Sequence, residues 1–287
     1  MVSKKLDILK KILDFHKVKK GSKIYLGIDL MYLAVASKIS RHEMELFSLQ
    51  ILDFLLKRVG KNGSLIIPVF AENCVQNKFF DRKKTLGQTG MFGNHLLKKF
   101  YKNRTKHPLH SFLFFGKDQK KIINLDYKNS EGDDSIWKYL INKKFKIITI
   151  GYHYALSTTI VHYFERVAKV NYRFDKKFKI KYKNFNGKTS TKYFYFFARK
   201  LNICDYSSIT KKCDQLLKSK RIYNFFKYKK IISFNLKVYE FTKFVLFDLK
   251  KGSNKLVDYI GKNRIHNKLL YGDALIKLEQ NLKNNIN

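Results

Sequence analysis

The first strand-like run of the chain reads Ile24-Tyr25-Leu26-Gly27-Ile28, and the second reads Leu65-Ile66-Ile67-Pro68-Val69-Phe70. Between them, leucine and isoleucine recur at helical spacing over residues 42–58, and this pattern ends at Gly60. A strand, a helix and a second strand within about fifty residues are typical of a βαβ unit, in which a helix covers two parallel strands. We therefore predict an α/β fold with a parallel or mixed central sheet.

The alternation of strand and helix patterns continues along the chain. It predicts helices over 3–15, 134–142 and 157–168, and strands over 111–115 and 145–150.

The remaining part of the chain has a different pattern. Asn186-Gly187, within alternating residues over 176–199, predicts an antiparallel hairpin. Residues 208–226 read as helical and 231–249 as extended, and we expect the polar tail over 277–287 to fray. The chain shows no repeat and no linker. We therefore predict one α/β/α-like domain over 1–287, with a mixed central sheet and a hairpin-rich antiparallel C-terminal part.

The charge of the chain is extreme. Its 287 residues include 60 Lys and Arg against 22 Asp and Glu, which gives a formal net charge of +38. Such a charge attracts polyanions, which include nucleic acid and membrane surfaces. However, 51 of the cations are lysines and nine are arginines. Specific nucleic-acid readers favour arginine, because its planar fork matches bases and phosphates. We therefore do not expect a nucleic-acid partner.

The cysteines and the N-terminus bear on the compartment. Cys74, Cys204 and Cys213 are odd in number and lack a C-x-x-C spacing, which favours a reducing compartment and neither a disulfide framework nor a zinc site. Residues 1–20 alternate lysines with leucine and isoleucine and lack the apolar core of a signal peptide. No apolar run approaches the length of a membrane span. We expect a cytoplasmic protein.

Residues 151–165 run from a predicted strand into a predicted helix, and there His162 and Glu165 stand at i and i+3 on one helical face. A neutral imidazole can take a proton near neutral pH, and a carboxylate one turn away can orient the ring or hold a cationic acceptor. The other interpretation is a packed helix histidine beside a solvated acid. The spacing alone leaves both interpretations open.

A second polar cluster lies over 104–111 and reads Arg-Thr-Lys-His-Pro-Leu-His-Ser. Pro108, between His107 and His110, predicts an irregular loop before a strand, and such loops hold ligand sites in α/β folds. We do not expect a metal site, because no carboxylate or cysteine stands beside the two histidines. The aromatic run over 193–197 fits the two faces of a core strand better than a surface that stacks bases.

Together these motifs resemble the aminoglycoside 3-N-acetyltransferase family in their order and spacing. The resemblance extends over about residues 5–260. The segments that carry it are 60–70, Thr89-Gly90, 104–111 followed by Gly116, 133–140, Ile150-Gly151, 157–165, Tyr172-Arg173 and 192–199.

The resemblance implies an acetyl-CoA-dependent N-acetyltransferase that needs no metal. It implies that His162 is the general base, which takes a proton from the acceptor amine as that amine attacks the thioester, and that Glu165 fixes the imidazole or the amine. Backbone N–H groups would stabilise the oxyanion. The residues expected near acetyl-CoA are Pro68, Phe70, Arg104, His107 and Ser111. The residues expected to contact the acceptor are Asp133, Asp134 and Tyr163.

The chain departs from the family pattern after its first strand. There Gly27-Ile28-Asp29-Leu30 replaces a His-Ser-Ser-Leu-like segment that contacts CoA, so two hydroxyl donors are lost and an acid is gained. A carboxylate that faces a phosphate repels it. Three arrangements follow from this departure: CoA sits differently, Asp29 points away, or donor binding is weakened. Val69, where threonine is common, loses a further hydroxyl.

The net charge also bears on the acceptor. Aminoglycosides are polycations, whereas a chain of charge +38 attracts anions. We therefore favour an amino sugar, and in particular a nucleotide-linked one destined for a surface polysaccharide, over an aminoglycoside and antibiotic resistance. A rival hypothesis is a non-enzymatic protein on a degenerate copy of the fold, which would bind nucleic acid or another polyanion with salt-sensitive affinity. The sequence leaves the acceptor, the acyl chain length and the oligomeric state open.

Overall fold

A computed structural model describes residues 4–261 of the chain. Its strands are β1 (Lys23–Ile28), β2 (Ser64–Pro68), β3 (Phe79–Asp81), β4 (Phe112–Gly116), β5 (Lys146–Ile150), β6 (Arg173–Lys183), β7 (Thr189–Arg199), β8 (Tyr206–Ile209), β9 (Tyr223–Tyr228), β10 (Ile231–Lys237) and β11 (Val257–Ile260). Its α-helices are α1 (Asp7–Phe15), α2 (Leu30–Ala36), α3 (Met44–Val59), α4 (Cys74–Asn77), α5 (Met91–Phe100), α6 (Gln119–Asn124), α7 (Ile136–Asn142), α8 (Val161–Val167), α9 (Lys211–Ser219) and α10 (Val238–Lys250).

The central sheet has six strands in the order β4-β2-β1-β5-β10-β9. β1 pairs in parallel with β2, where Ile24 lies opposite Leu65, and in parallel with β5, where Leu26 lies opposite Ile148. β4 is antiparallel to β2, β10 is antiparallel to β5, and β9 is antiparallel to β10. The prediction of a mixed central sheet is confirmed.

Helices cover both faces of this sheet. Successive side chains of a strand point to opposite faces. Leu26 and Ile28 therefore pack against α1, α2, α3 and α5, whereas Tyr25 packs on the side of α7, α8 and α10. A strand that is buried on both faces reads as a continuous apolar run, which explains the composition of β1 and β2. The layers form the predicted α/β/α-like arrangement.

The predicted hairpin is present but forms its own sheet. β6 and β7 pair over their full length around Asn186 and Gly187, and Gly187 adopts a φ of +81°, which a glycine allows without strain. β3 joins β6 in parallel, so the three-stranded sheet has the order β3-β6-β7. β8 and β11 form a separate antiparallel pair. The hairpin therefore stands beside the central sheet and does not extend it.

Two predicted elements near the C-terminus are wrong. Residues 208–226, predicted as helix, contain the end of β8, then α9, then the start of β9. Residues 231–249, predicted as extended, are a strand only as far as Lys237, after which α10 begins. In α10, Val238, Phe241 and Val245 lie on one buried stripe, and this packing outweighs the strand preference of β-branched and aromatic residues.

Two further features concern the ends of the chain and its helices. The helix predicted over 157–168 begins later, because a 3₁₀ turn at Tyr154–Ser157 precedes α8.

The polar tail over 277–287 lies outside the described residues. Among residues 4–261, no helix combines the length and the apolar composition that a bilayer crossing requires.

The topology places an opening at the carboxyl ends of the central strands. β1 has β2 on one side and β5 on the other, and all three run parallel. The connections that leave β1 and its neighbours therefore separate to opposite sides, and ligands of α/β folds bind in the crevice outside the strand ends at such a point.

Candidate active site

A cleft of about 720 Å³ opens outside the carboxyl ends of β1, β2 and β5. Three segments line it: residues 28–31 at the end of β1, Pro68 and Phe70 at the end of β2, and Tyr152, Leu156, Ser157 and Thr159 after β5. Residues 88–91, at the start of α5, close a fourth side. We call this opening the strand-end cleft.

Gly27 allows the loop after β5 to approach β1. A Cβ at Gly27 would lie 1.9 Å from the hydroxyl oxygen of Tyr152 and 2.7 Å from Oγ of Ser157. These two oxygens are 2.8 Å apart and share a hydrogen bond. The glycine thus lets two polar side chains reach the base of the strand-end cleft, and any larger residue would displace them.

His162 and Glu165, the predicted catalytic pair, lie in contact on α8. Nδ1 of His162 is 2.7 Å from Oε2 of Glu165. The His162 side chain keeps 28% of its surface exposed, whereas the Glu165 side chain is fully buried. The imidazole is therefore partly exposed to solvent, whereas the carboxylate that it contacts is shielded from solvent.

The buried Glu165 carboxylate is held by three further groups. Nε of Arg173 lies 2.8 Å from Oε2, the Tyr172 hydroxyl donates to Oε1 at 3.0 Å, and Ser207 donates a side-chain hydrogen bond. Burial alone would raise the pKa of Glu165, but Arg173 and His162 outweigh it and hold this pKa at about 2. The carboxylate is therefore ionised throughout the neutral range.

The ionised carboxylate fixes the state of the His162 ring. A carboxylate only accepts hydrogen bonds, so Nδ1 of His162 carries the proton and Nε2 is the basic nitrogen. Desolvation, with the positive charge of Arg173, lowers the pKa of His162 below 6.5 although Glu165 opposes this shift. The ring is therefore neutral at pH 7, and Nε2 is free to take a proton.

A second histidine–glutamate pair faces the same region, and the sequence did not predict it. Nδ1 of His110 lies 2.9 Å from Oε1 of Glu131. The Ser130 hydroxyl and the Phe197 N–H donate to Oε2 of Glu131. Burial raises the pKa of Glu131, but His110 and these hydrogen bonds reduce it to about 2. The Phe197 carbonyl accepts from Arg173 at 2.8 Å, so one β7 residue connects the two pairs.

His162 lies where three openings adjoin. Together with Glu131 and Arg173, it lines a cavity of about 400 Å³. We call this cavity the dyad cavity. Glu72 lines both the dyad cavity and the strand-end cleft. A smaller pocket of about 120 Å³ includes His162 and also Thr159, which lines the strand-end cleft as well. A molecule in the strand-end cleft and another in the dyad cavity would therefore meet near the imidazole.

The residues predicted near acetyl-CoA divide into two groups. Pro68 and Phe70 line the strand-end cleft. Arg104, His107 and Ser111 are fully buried instead. The prediction of direct donor contact does not fit the burial of these three side chains.

Arg104 serves the interior of the fold. Its guanidinium donates to the carbonyl oxygens of Thr85 and Val69 at 2.5 and 3.0 Å, and to Oγ of Ser111 at 3.0 Å. Ser111 in turn donates to the Val69 carbonyl at 2.7 Å. Arg104 and Ser111 thus satisfy backbone carbonyls behind β2 that would otherwise be buried without partners.

His107 is also internal. Its ring stacks on Tyr127 with centroids 5.2 Å apart. Burial, with the neighbouring His110, lowers the pKa of His107 to about 3. The ring is therefore neutral and lacks the charge that would attract a phosphate.

The predicted acceptor residues lie outside the openings described above. Asp133 and Asp134 are exposed and precede α7, and Tyr163 is buried on α8. Tyr163 is hydrogen-bonded to Asp133. None of the three lines the strand-end cleft, the dyad cavity or the smaller pocket.

Asp29 is the residue that departs from the family pattern, and the structure gives it a local role. Its Oδ1 accepts the N–H of Tyr32 at 3.0 Å and caps the N-terminus of α2. The residue still lines the strand-end cleft. The cleft contains a second acid, Glu72, and no lysine or arginine among its described residues. Its charge therefore suits the neutral arm of a donor and not a phosphate.

A metal centre has no support in the described part of the chain. Within residues 4–261, no three His, Cys, Asp or Glu side chains are grouped so that they could hold a metal ion.

Comparisons with solved structures place this fold among acetyltransferases. Sisomicin-bound AAC-VIa has a TM-score of 0.69 at 15% identity, and the match covers 85% of this chain and 97% of that one. AAC-IIIb in a binary complex with CoASH has a TM-score of 0.66 at 13% identity, covering 90% and 97%. YokD from Bacillus subtilis has a TM-score of 0.65 at 15% identity, covering 86% and 93%. At such identities the likeness shows the fold alone.

No curated protein sequence matches the chain significantly. The family model described as aminoglycoside 3-N-acetyltransferase, however, matches residues 36–247, which is most of the chain and includes both histidine–glutamate pairs. The chain therefore belongs to the aminoglycoside 3-N-acetyltransferase family, a family of acetyl-CoA-dependent N-acetyltransferases.

Proposed function

We propose that this protein transfers the acetyl group of acetyl-CoA to the amino group of an amino sugar, with His162 as the general base. The observation that carries this proposal is the position of His162: its ring is held by a buried, ionised carboxylate. The ring lines the dyad cavity, which shares Glu72 with the strand-end cleft, and the smaller pocket, which shares Thr159 with that cleft. A base must lie within reach of the proton that it removes. His162 is placed to reach the amine of an acceptor that lies in the dyad cavity while the donor lies in the strand-end cleft.

The strand-end cleft fits the thioester end of the donor. Pro68 and Phe70 supply apolar surface, and Gln88 and Thr89 supply hydrogen-bonding groups. The neutral pantetheine arm matches this lining, whereas Asp29 and the absence of cationic side chains among the described lining residues disfavour a diphosphate inside the cleft. The phosphates of the donor would therefore lie beyond the cleft, so that the first of the three arrangements, a shifted CoA, is the one that we propose.

The reaction then follows from the state of each group. The acceptor amine attacks the thioester carbonyl carbon, a C–N bond forms, and the amine proton passes to Nε2 of His162. As the C–S bond breaks, the same proton is available to the departing thiolate. Glu165 stabilises the imidazolium between these two steps, since its carboxylate stays ionised and bonded to Nδ1. Arg173 keeps that carboxylate in place.

We propose an anionic, nucleotide-linked amino sugar as the acceptor, with a role in making a surface polysaccharide. The dyad cavity supports this choice because its lining carries as many guanidinium groups as carboxylates: Arg173 and Arg199 against Glu72 and Glu131. A polycationic acceptor would favour an acidic lining. The chain as a whole carries a formal charge of +38 and attracts anions. The use of acetyl-CoA as the proposed donor and three free, buried cysteines favour the cytoplasm as the location.

An aminoglycoside is the second candidate acceptor. It is favoured by the match to the family and by similar structures that hold sisomicin or a gentamicin. Glu72 is exposed at the edge of the dyad cavity and offers one carboxylate to a cationic acceptor.

The test is release of free CoA thiol from acetyl-CoA across a panel of acceptors. The panel contains a nucleotide-linked amino sugar, the same sugar without the nucleotide, and a kanamycin-type aminoglycoside, each with wild-type protein and with His162→Ala. We expect acceptor-dependent release with the nucleotide-linked sugar that His162→Ala abolishes. Turnover of the aminoglycoside alone would replace our acceptor with the second candidate. No acceptor-dependent release by any member of the panel would contradict the enzymatic proposal.

A further inference from the structure

A groove of about 760 Å³ lies beside the dyad cavity, between α4 and the β6–β7 hairpin. We call it the hairpin groove. Phe178 and Ile180 contribute apolar surface to it, and residues 189–191 contribute the hydroxyl groups of two threonines and a serine. Val75 on α4 lines both the hairpin groove and the dyad cavity. The groove therefore continues the space in which the acceptor amine would meet His162.

The charge of the hairpin groove is uniformly positive. Lys78, Lys179 and Lys181 line it, and none of its described lining residues is acidic. Among residues 4–261, no carboxylate lies within ion-pair distance of these three ammonium groups, although nearby Lys183 contacts Asp81 at 3.7 Å. Three cations without a partner anion around one groove create a positive potential that attracts a multiply charged anion.

The backbone of β6 adds a donor to the same groove. The Lys181 N–H donates to the Lys78 carbonyl at 2.9 Å, so it points toward β3. Alternate residues of a strand direct their N–H groups to the same side, and the N–H of Lys179 therefore points that way too. The β3–β6 ladder begins at Lys181 and gives Lys179 no partner. A free backbone N–H and ammonium groups in the lining of one groove are a combination that binds phosphate oxygens.

We propose that the hairpin groove binds the diphosphate-bearing part of the acceptor, so that a nucleoside diphosphate lies there while the amino sugar attached to it reaches into the dyad cavity. The inference rests on the proposed function, because it assigns the two ends of one acceptor to two adjoining spaces. It explains how an acceptor is bound by a cavity whose own charges are balanced: the affinity comes from the lysines of the groove.

The first test compares two acceptors that differ only in the nucleotide. The acceptors are a uridine-diphosphate-linked amino sugar and the same amino sugar without the nucleotide. The variant is Lys179→Gln/Lys181→Gln, and the charge-matched control is Lys211→Gln/Lys212→Gln on α9, where both lysines are exposed. We expect the groove variant to raise KM for the nucleotide-linked sugar about tenfold or more, since charge-assisted hydrogen bonds are lost. KM for the free sugar, KM for acetyl-CoA and kcat should stay as in wild type.

The second test does not need turnover. Binding of uridine diphosphate is measured by calorimetry with wild type, the groove variant and the α9 control, with circular dichroism to verify folding. We expect binding that the groove variant weakens about tenfold and that the control leaves unchanged.

The outcomes separate the two proposals. If uridine diphosphate binds through the lysines while no amino sugar is acetylated, the groove is a diphosphate site, the proposed function is wrong, and the assignment of the groove to an acceptor is overturned with it. If acetylation proceeds while the groove variant and the control behave alike, the function stands and the groove assignment is overturned. A loss of acetyl-CoA affinity in the groove variant, with no change for uridine diphosphate, would also overturn it, because the lysines would then hold the donor.

Discussion

Replacing Glu165 with glutamine tests the electrostatic arrangement behind His162. The folded chain holds the pKa of this carboxyl at about 2, against its ordinary value of 4.5. A difference of this size corresponds to about 3 kcal/mol of unfolding free energy, which the ionised carboxylate contributes and a neutral amide does not. The same replacement leaves Arg173 buried without its counter-charge, and breaking a buried pair in this way costs about 3–5 kcal/mol. Both routes therefore predict a loss of at least about 3 kcal/mol.

The sign of the pH dependence follows from the depressed pKa. A carboxyl whose pKa is lower in the folded state stabilises the fold above its unfolded value of 4.5, and this contribution disappears as the pH falls from 4.5 toward 2. We therefore expect the difference between wild type and Glu165→Gln to be full between pH 5 and pH 8 and to shrink below pH 4.5. Urea unfolding followed by circular dichroism at a series of pH values measures it.

Two further variants complete this experiment. Glu45→Gln is the matched control, because Glu45 is exposed and its contact with Lys98 is open to solvent; we expect little change at any pH. Adding Arg173→Met to Glu165→Gln removes the unpaired cation and should restore part of the lost stability. A loss below about 1 kcal/mol in Glu165→Gln at pH 7, or an equal loss at pH 3 and pH 7, would refute the reasoning.

Three other predictions concern the active site. The pKa of His162 lies below 6.5, so the ratio of kcat/KM between wild type and His162→Gln, in which the ionisation of the acceptor amine cancels, should be level near pH 8 and fall below pH 6.5; an inflection of this ratio above pH 7 would contradict the assigned base. Asp29→Ser keeps a helix cap but removes a charge from the strand-end cleft, so CoA should bind several-fold more tightly by calorimetry; Asp29→Ala should in addition lower stability by about 1 kcal/mol, and unchanged CoA affinity in both would show that Asp29 does not oppose the donor. Gly27→Ala places a Cβ 1.9 Å from the Tyr152 hydroxyl oxygen, so the free energy of unfolding should fall by about 1–3 kcal/mol and the melting temperature should fall with it. Adding Tyr152→Phe to the same chain should restore part of the lost stability.

The sequence predicted the central sheet because the evidence for it is local. β1 and β2 are buried on both faces, so each reads as an apolar run, and the amphipathic stripe of α3 lies between them. The hairpin was predicted for a similar reason, since Asn186-Gly187 suits a tight turn. The α10 segment was missed because its Tyr, Phe and Val residues prefer strands, and only its packing against the central sheet selects a helix.

In the candidate site too, the sequence predicted the contacts between residues close in the chain and missed those between distant residues. The contact of His162 with Glu165 follows from their spacing on one helix, whereas the contact of His110 with Glu131 joins a loop to a distant turn and has no signature in the sequence. Arg104 was expected near the donor because the resemblance to the family implied it. Its guanidinium is used inside the fold instead, where it satisfies backbone carbonyls. Family motifs thus identify residues that matter without distinguishing contact from support.

The most direct test of the account is the rate of acetyl transfer by His162→Gln, measured by mass spectrometry of the acetylated acceptor, with the Kd of acetyl-CoA measured on the same sample. Glutamine keeps the approximate size of the side chain but cannot act as a base at neutral pH. We predict a kcat lower by about 10²–10⁴-fold with an unchanged Kd, which are the effects of losing a general base that does not bind the donor. A kcat within about threefold of wild type would contradict the assignment of His162 as the base.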